Sequence, residues 1–279
     1  MTDGTVIDDY GPLETHGRTD WACDEVNDPR FAPVDPLTGE LDDLYDDYQP
    51  IRAAKEAAKN FIQLLNPKLD QIGYVWYSTQ SEIVEELYCL KREGGCEDFE
   101  NVLVAVESTQ AEGWTNIADA LWDGLWVLST ETERNPTVRG VGLPPKSPGT
   151  EHFGRNSASH ILILMTDGQA NYYPGIGRDR VPNLPPGYGN CYSDDLYEDQ
   201  PGETLDQRRA RECVAWFARE ARDRGVIVHT IGLGAQADSD LLLHVADVTG
   251  GTYQYAPTAD QLEEVFRKLL ERIYLRLTD

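Results

Sequence analysis

Two short polar turns contain the residue types in this chain that suit cation binding. Asp167 and Gly168 come directly after the apolar run 161–165, and Thr115 lies in the turn EGWTN. A hydroxyl and a carboxylate are hard oxygen donors, which suit Mg²⁺, Mn²⁺ or Ca²⁺ better than zinc. Asp167 taken alone is equally consistent with a residue that caps a turn or a helix. The helices and strands around these two turns are therefore needed to decide between a cation site and a structural cap.

The run 161–165 is short, branched and almost uncharged, which predicts a strand covered on both faces of a parallel sheet. Its carboxyl end is where open α/β sheets bind ligands. Helical patterns occupy 50–65, 98–108, 117–128, 205–224, 240–248 and 262–273, and strand patterns occupy 71–78, 81–90, 161–165, 226–234 and part of 249–255. This alternation predicts an α/β fold with a doubly wound, mainly parallel sheet and helices on both faces. We expect 81–90 to pair back on 71–78 as an antiparallel edge hairpin.

Length and charge narrow the class of protein. The 279 residues are 40% hydrophobic, and 49 acidic against 24 basic residues give a formal charge of -25. This charge repels nucleic acid and anionic membranes and attracts cations. The chain has no apolar run of transmembrane length, and its first residues lack the features of a signal peptide.

The acidic charge is concentrated in the first part of the chain. We predict an acidic, Pro/Gly/Asp-rich loop or insertion over 1–49 and one domain over 50–279, with loop insertions at about 134–159 and 172–204. The acidic clusters of 1–49 lack the spacing of a dedicated calcium loop, which favours a solvated segment over a calcium site.

The cysteines and histidines show no zinc-like spacing. The five cysteines are Cys23, Cys89, Cys96, Cys191 and Cys213. Cys89 and Cys96 are close enough in sequence to form a disulfide, and Cys191 lies in a loop where a free thiol would be a liability, which favours an oxidising compartment. Cys213 lies on the apolar face of a helix, where we interpret it as a small buried hydrophobic residue. We interpret His160, His229 and His244 as structural.

Six segments, in order, resemble the von Willebrand factor A domain family. They are IRAAKEAAKNFIQLLNP, DQIGYVWYST, GWTNIADAL, HILILMTDGQAN, GVIVHTIGLG and VADVTGGTYQYAPTADQLEEVF. The resemblance implies a metal-ion-dependent adhesion site built from three loops, namely D-x-S-x-S after the first strand, a Thr turn and an Asp-Gly turn. Thr115 and Asp167 match the second and third loops as metal ligands. Trp114 departs from the small residue often found before that Thr, and we expect it to crowd the site.

The first ligand loop and its strand do not occur upstream of Pro50. We expect that Met1 corresponds to the methionine of D-x-S-G-S-M, so that the chain lacks its first central strand. The strands at 73–77 and 161–165 would then have unpaired backbone groups between them, each costing about 1 to 3 kcal/mol when buried. The alternative is a degenerate domain in which Thr5, Val6 and Ile7 replace the first strand and no metal binds.

The resemblance implies a protein-binding module and not an enzyme. A divalent cation, Mg²⁺ or else Mn²⁺ or Ca²⁺, would be held by Thr115, Asp167 and the absent loop, and a partner's Asp or Glu carboxylate would complete its coordination. The large insertions resemble those of bacterial surface or pilus-assembly proteins, which implies an extracellular or cell-surface location. Two alternatives remain open, a metal-dependent hydrolase that uses Asp167 and a structural scaffold without metal.

Overall fold

The computed structural model describes residues 50–88, 99–109, 113–130, 133, 153–173, 191, 202–258 and 261–278. The helices are α1 (Pro50–Leu64), α2 (Glu100–Glu107), α3 (Ile117–Leu128), α4 (Leu205–Asp223), α5 (Ser239–Thr249) and α6 (Leu262–Thr278). The strands are β1 (Ile72–Tyr77), β2 (Ser81–Tyr88), β3 (Ile161–Thr166), β4 (Ile227–Leu233) and β5 (Tyr253–Ala256). The predictions for Thr5 to Ile7, Cys23, Cys89 and Cys96 lie outside the described residues.

Contacts along the chain separate it into two units, Met1–Arg52 and Ala53–Asp279. The five described strands and, apart from residues 50–52 of α1, the six described helices lie in the second unit. The domain boundary that the sequence suggests near Pro50, and the insertions at about 134–159 and 172–204, stay predictions.

The described strands form two sheets. β1 pairs with β2 in the antiparallel hairpin that the sequence predicts. β3, β4 and β5 form a parallel sheet in that order, with Ile161 opposite Ile227 and Thr230 opposite Tyr253. Within the described ranges, no strand lies between β1 and β3, which is the position where the sequence analysis expects one to be missing.

Two apolar clusters cover the two faces of the parallel sheet. Leu162 and Leu164 of β3 pack with α3, α4 and α5, and Ile163 and Met165 pack with α1, α2 and α6. Successive side chains of a strand point to opposite faces, so one short apolar strand contributes to both clusters. The result is a three-layer α/β arrangement, and the predicted fold class is confirmed.

The exposure of β3 differs from the prediction of a strand covered on both faces. Only Leu164 and Thr166 of β3 are buried, whereas all of β4 except Ile227 is buried. Among the described strands, β4 lies between two neighbours, while β3 pairs with β4 alone. Because neighbouring strands shield each other's side chains, β3 is less well covered than its apolar sequence suggests.

Backbone direction shows what faces the other edge of β3. Ile227 donates its N–H to the carbonyl of His160 at 3.0 Å. Backbone groups of successive residues point to opposite edges of a strand, so the N–H and C=O groups of the even-numbered residues of β3 point toward β4. The N–H and C=O groups of the odd-numbered residues, including Ile163 and Met165, point toward the opposite edge. The Tyr77 hydroxyl of β1 donates to the Met165 carbonyl at 2.7 Å, which links the two sheets across this edge.

Local sequence explains where the helices begin. Asn116 precedes α3, and its side chain accepts a hydrogen bond from Asp119 N–H, as expected of a helix cap. Thr204 and Gln207 form a reciprocal capping box at the start of α4. In the part of the chain that the structure describes, no helix is both long enough and apolar enough to cross a bilayer.

Candidate functional site

The structure brings the two predicted site residues together. A methyl group placed on Gly168 would lie 2.7 Å from Thr115 Oγ1 and 3.6 Å from Thr115 Cβ. The Thr115 side chain therefore packs directly against the backbone of Gly168, the residue that follows Asp167. Only glycine permits so close an approach at this position. A hydroxyl from the loop before α3 thus lies beside the turn at the end of β3.

Asn171 holds these two loops together. Its Oδ1 accepts a hydrogen bond from Thr115 N–H at 2.8 Å, and its own N–H donates to the Thr115 carbonyl at 3.3 Å. Both backbone groups of Thr115 are therefore bonded to one residue, which fixes the direction of its side chain. Asn171 is not among the predicted site residues, although the segment TDGQAN has this amide residue four positions after Asp167.

The turn between β1 and β2 holds the same loop from another side. Thr79 Oγ1 accepts from Trp114 N–H at 3.0 Å. Asn116 donates its N–H to the Ser78 carbonyl at 2.9 Å and its side-chain N–H to the Thr79 carbonyl at 3.2 Å. Trp114 and Asn116 flank Thr115, so the backbone of this loop is fixed on both sides of the candidate ligand.

Tyr77 lies at the junction of the two sheets near the site. Removal of its hydroxyl from water raises the pKa of Tyr77 far above its usual range, and the negative charge of Asp167 adds to the rise, while a hydrogen bond with Thr166 opposes it. The phenol therefore stays neutral and acts as a hydrogen-bond donor to Met165 at all ordinary pH values.

The donor chemistry of the site fits a hard divalent cation. Asp167 is exposed and Thr115 is half-buried, so a hydrated ion can reach both. Mg²⁺ keeps several waters and is commonly bound through one or two carboxylates, so a carboxylate and a hydroxyl are suitable in type. Across the described residues, no group of three or more His, Cys, Asp or Glu side chains could hold a metal ion.

Trp114 is 58% exposed, and its backbone N–H donates to Thr79 Oγ1. The expectation that Trp114 crowds the site stays a prediction. Among the histidines, His229 is buried, and its Nδ1 accepts from Thr252 N–H at 3.1 Å, which is a structural contact.

A disulfide joins Cys191 to Cys213 of α4, with a Cα–Cα distance of 4.7 Å. Cys213 is buried, as predicted. It is not a free thiol, however, because its sulfur is bonded to that of Cys191. Local sequence could not reveal this pair, because the two cysteines lie 22 positions apart. Disulfides persist in oxidising compartments.

Two arginines of α4 that precede Cys213 make polar contacts with other parts of the chain. Arg209 Nη1 donates to the Tyr173 hydroxyl at 3.1 Å. Arg211 donates to Glu203 at 3.3 Å and forms a bidentate pair with Asp238, at 2.8 and 2.7 Å. Tyr173 lies two residues after Asn171 and Glu203 lies just before α4. Helix α4 thus binds the chain near both ends of the 172–204 segment.

The order and pairing of these elements define a three-layer α/β domain, and the candidate oxygen donors Thr115 and Asp167 lie beyond the carboxyl end of β3. The fold is like that of von Willebrand factor A domains, as the sequence resemblance predicted. No protein-family model matches the chain. A UPF0353 protein of Mycolicibacterium gilvum is 21% identical over 237 residues, covering 80% of this chain and 54% of the relative. The chain thus spans about half the length of the curated relative it matches.

Two solved structures illustrate the similarity. The von Willebrand factor domain of the type V pili tip protein Mfa5 from Porphyromonas gingivalis is 12% identical, with a TM-score of 0.49, covering 81% of this chain and 88% of that one. Proximal thread matrix protein 1 from the mussel byssus, with zinc in its MIDAS motif, is 15% identical, with a TM-score of 0.44, covering 81% and 43%. Both TM-scores are low, and the fold follows from the order and pairing of the elements in this chain.

Proposed function

We propose that this chain is a protein-interaction module that binds a partner carboxylate through a divalent cation. Thr115 and Asp167 would be two of the ligands that hold the cation, the D-x-S-x-S loop implied by the resemblance would supply the others, and an Asp or Glu side chain of the partner would complete its coordination. The observation that carries this proposal is the packing of the Thr115 hydroxyl against Gly168, beside Asp167. This packing supports the proposal because it brings the Thr115 hydroxyl next to the residue that follows Asp167.

The cation would offset the electrostatic repulsion between this acidic chain and the acidic side chain of its partner. With a formal charge of -25, the chain repels an acidic partner in the absence of a metal. A divalent ion at Asp167 reverses the local charge and offers open coordination positions to a carboxylate. The bound cation would therefore serve to recognise the partner's carboxylate, and Thr115 and Asp167 would position the cation.

The proposed location is the cell surface or another extracellular setting. The support is the Cys191–Cys213 disulfide, since cytosolic proteins seldom keep such bonds. A carboxylate-binding surface module would meet its partners in that compartment.

The direct test is a Mn²⁺ titration of the full chain, with free Mn²⁺ measured by electron paramagnetic resonance. We expect one site whose affinity falls about tenfold or more in Asp167→Asn and in Thr115→Ala, because each variant removes a ligand. The matched control is Asp206→Asn, which removes an exposed carboxylate from the first turn of α4.

The control separates site binding from attraction to the acidic surface. Equal Mn²⁺ affinity in Asp167→Asn and Asp206→Asn would refute the proposed site. All variants should keep the unfolding temperature of the parent chain, since Asp167 is exposed.

A further inference from the structure

Trp114 is a large apolar side chain left in solvent beside the candidate cation site. It is 58% exposed and directly precedes Thr115. The other large hydrophobic side chains that are exposed within the described ranges are Leu64, Leu69, Val104, Leu205, Leu243 and Tyr255. Of these, none adjoins Thr115 or Asp167 in the sequence. An exposed indole has a large surface to bury and is a frequent anchor of protein interfaces.

The backbone that carries this indole is held in place. Trp114 N–H donates to Thr79 Oγ1 at 3.0 Å. Gly113 has a φ of 76°, a conformation that glycine adopts without strain, and a methyl group there would lie 2.6 Å from the same Oγ1. On the other side, Thr115 is bonded at both backbone groups to Asn171. A side chain on a fixed backbone loses less entropy when a partner covers it.

We propose that Trp114 determines which carboxylates bind, by selecting an acidic residue of the partner that is flanked by an apolar side chain. This inference rests on the proposed function, because it needs a carboxylate held at the cation beside Thr115. The residue next to that carboxylate would then meet the indole, because Trp114 directly precedes Thr115 in the chain. Burial of the indole against an apolar side chain then adds affinity, at about 25 cal/mol per Å² of apolar area removed from water.

Charge excludes one competing class of flanking residue. A second acidic side chain beside the first would meet the field of a chain with a formal charge of -25. A basic flanking residue is the remaining competitor, since an ammonium group can lie on an indole face. Probe peptides with apolar or basic residues beside the aspartate distinguish these two kinds of flanking residue.

The experiment measures binding of three capped tripeptides to the full chain in saturating Mn²⁺, by calorimetry, with EDTA as the metal-free reference. The probes are acetyl-Leu-Asp-Leu-amide, acetyl-Gly-Asp-Gly-amide and acetyl-Lys-Asp-Lys-amide. We expect the leucine probe to bind about tenfold more tightly than the glycine probe. In Trp114→Ala this preference should vanish while the affinity for the glycine probe stays unchanged. Trp114→Phe should restore most of it.

Val104→Ala is the matched control, because Val104 is also 58% exposed but lies on α2. Its preference for the leucine probe should equal that of the parent chain. Mn²⁺-dependent binding with equal affinity for the leucine and glycine probes would overturn this inference and leave the proposed function standing. Tighter binding of the lysine probe that depends on Trp114 would overturn the apolar specificity. Binding of every probe that EDTA does not alter would overturn both proposals.

Discussion

Asn171 and Thr115 bond to each other through two hydrogen bonds although they are 56 positions apart in the sequence. Asn171 Oδ1 accepts from Thr115 N–H at 2.8 Å, and the Thr115 carbonyl accepts from Asn171 N–H at 3.3 Å. One asparagine thus fixes the distance between the loop before α3 and the loop after β3. Those loops carry Thr115 and Asp167, so the spacing of the two candidate ligands depends on this contact.

Asn171→Ala should loosen the site. The variant leaves Thr115 N–H without its acceptor, which we expect to lower the free energy of unfolding by about 1 to 3 kcal/mol and to weaken Mn²⁺ binding. Asn171→Asp keeps an acceptor oxygen and should restore the stability. Urea unfolding and Mn²⁺ titration measure the two effects. Asn60→Ala, at an exposed position of α1, serves as control, and a loss of the same size there would contradict a specific role for Asn171.

Gly168→Ala should move the Thr115 hydroxyl without unfolding the domain. The added methyl would lie 2.7 Å from Thr115 Oγ1, and a single side chain can rotate away from it at a cost of about 0.5 to 1.5 kcal/mol. We expect weaker Mn²⁺ binding with a nearly unchanged unfolding temperature, measured by calorimetry. Unaltered Mn²⁺ affinity would mean that Thr115 Oγ1 is not a ligand.

Arg211→Leu should be strongly destabilising. Arg211 makes a bidentate pair with Asp238, and the exposed fractions of the two side chains are 11% and 6%. Removal of one partner leaves a poorly solvated carboxylate, which costs about 3 to 5 kcal/mol. Arg222→Leu breaks an exposed pair with Asp223, at 51% and 59% exposure, and should cost at most about 1 kcal/mol. Equal losses in urea unfolding would contradict the importance of the buried pair.

Amide hydrogen exchange should alternate along β3. Leu162 and Leu164 direct their N–H groups toward β4, and Ile161 and Ile163 direct theirs toward the edge that Tyr77 reaches. We expect faster exchange at Ile161 and Ile163, measured by nuclear magnetic resonance. Equal protection of all four amides would show that this edge of β3 is also hydrogen-bonded.

Reduction of the Cys191–Cys213 disulfide should lower stability. A closed loop with a sequence separation of 22 predicts a loss of about 3 kcal/mol in the free energy of unfolding. Urea unfolding with and without a phosphine reductant measures it in a chain in which Cys23, Cys89 and Cys96 are serine. Cys213→Ser in that background should match the reduced form, and no change on reduction would argue against the bond.

Much of the fold could be predicted because strong local patterns agree with tertiary packing. The bounds predicted for α3, 117–128, are those observed, since Asn116 caps a helix with an uninterrupted apolar face. The placement of β3 followed from its unbroken apolar run and the abrupt turn at Asp167. Its partial exposure could not be predicted from that run, because it depends on which strands lie beside it.

The site could be predicted only in part for the same reason. Thr115 and Asp167 are visible as isolated polar residues at the ends of regular elements. Asn171 and the pairing of Cys191 with Cys213 depend on contacts between distant segments, which local periodicity does not encode. The exposure of Trp114 and the bond from its backbone to Thr79 Oγ1 depend on such contacts as well.

The disulfide also determines how the chain behaves when a protease cuts it. Cys191 and Cys213 close a covalent ring around residues 192–212. A single cleavage inside this ring leaves one covalent molecule, whereas a single cleavage outside it yields two. Electrophoresis of nicked protein without reductant would therefore show full-length mass for cuts within the ring and two fragments once the bond is reduced.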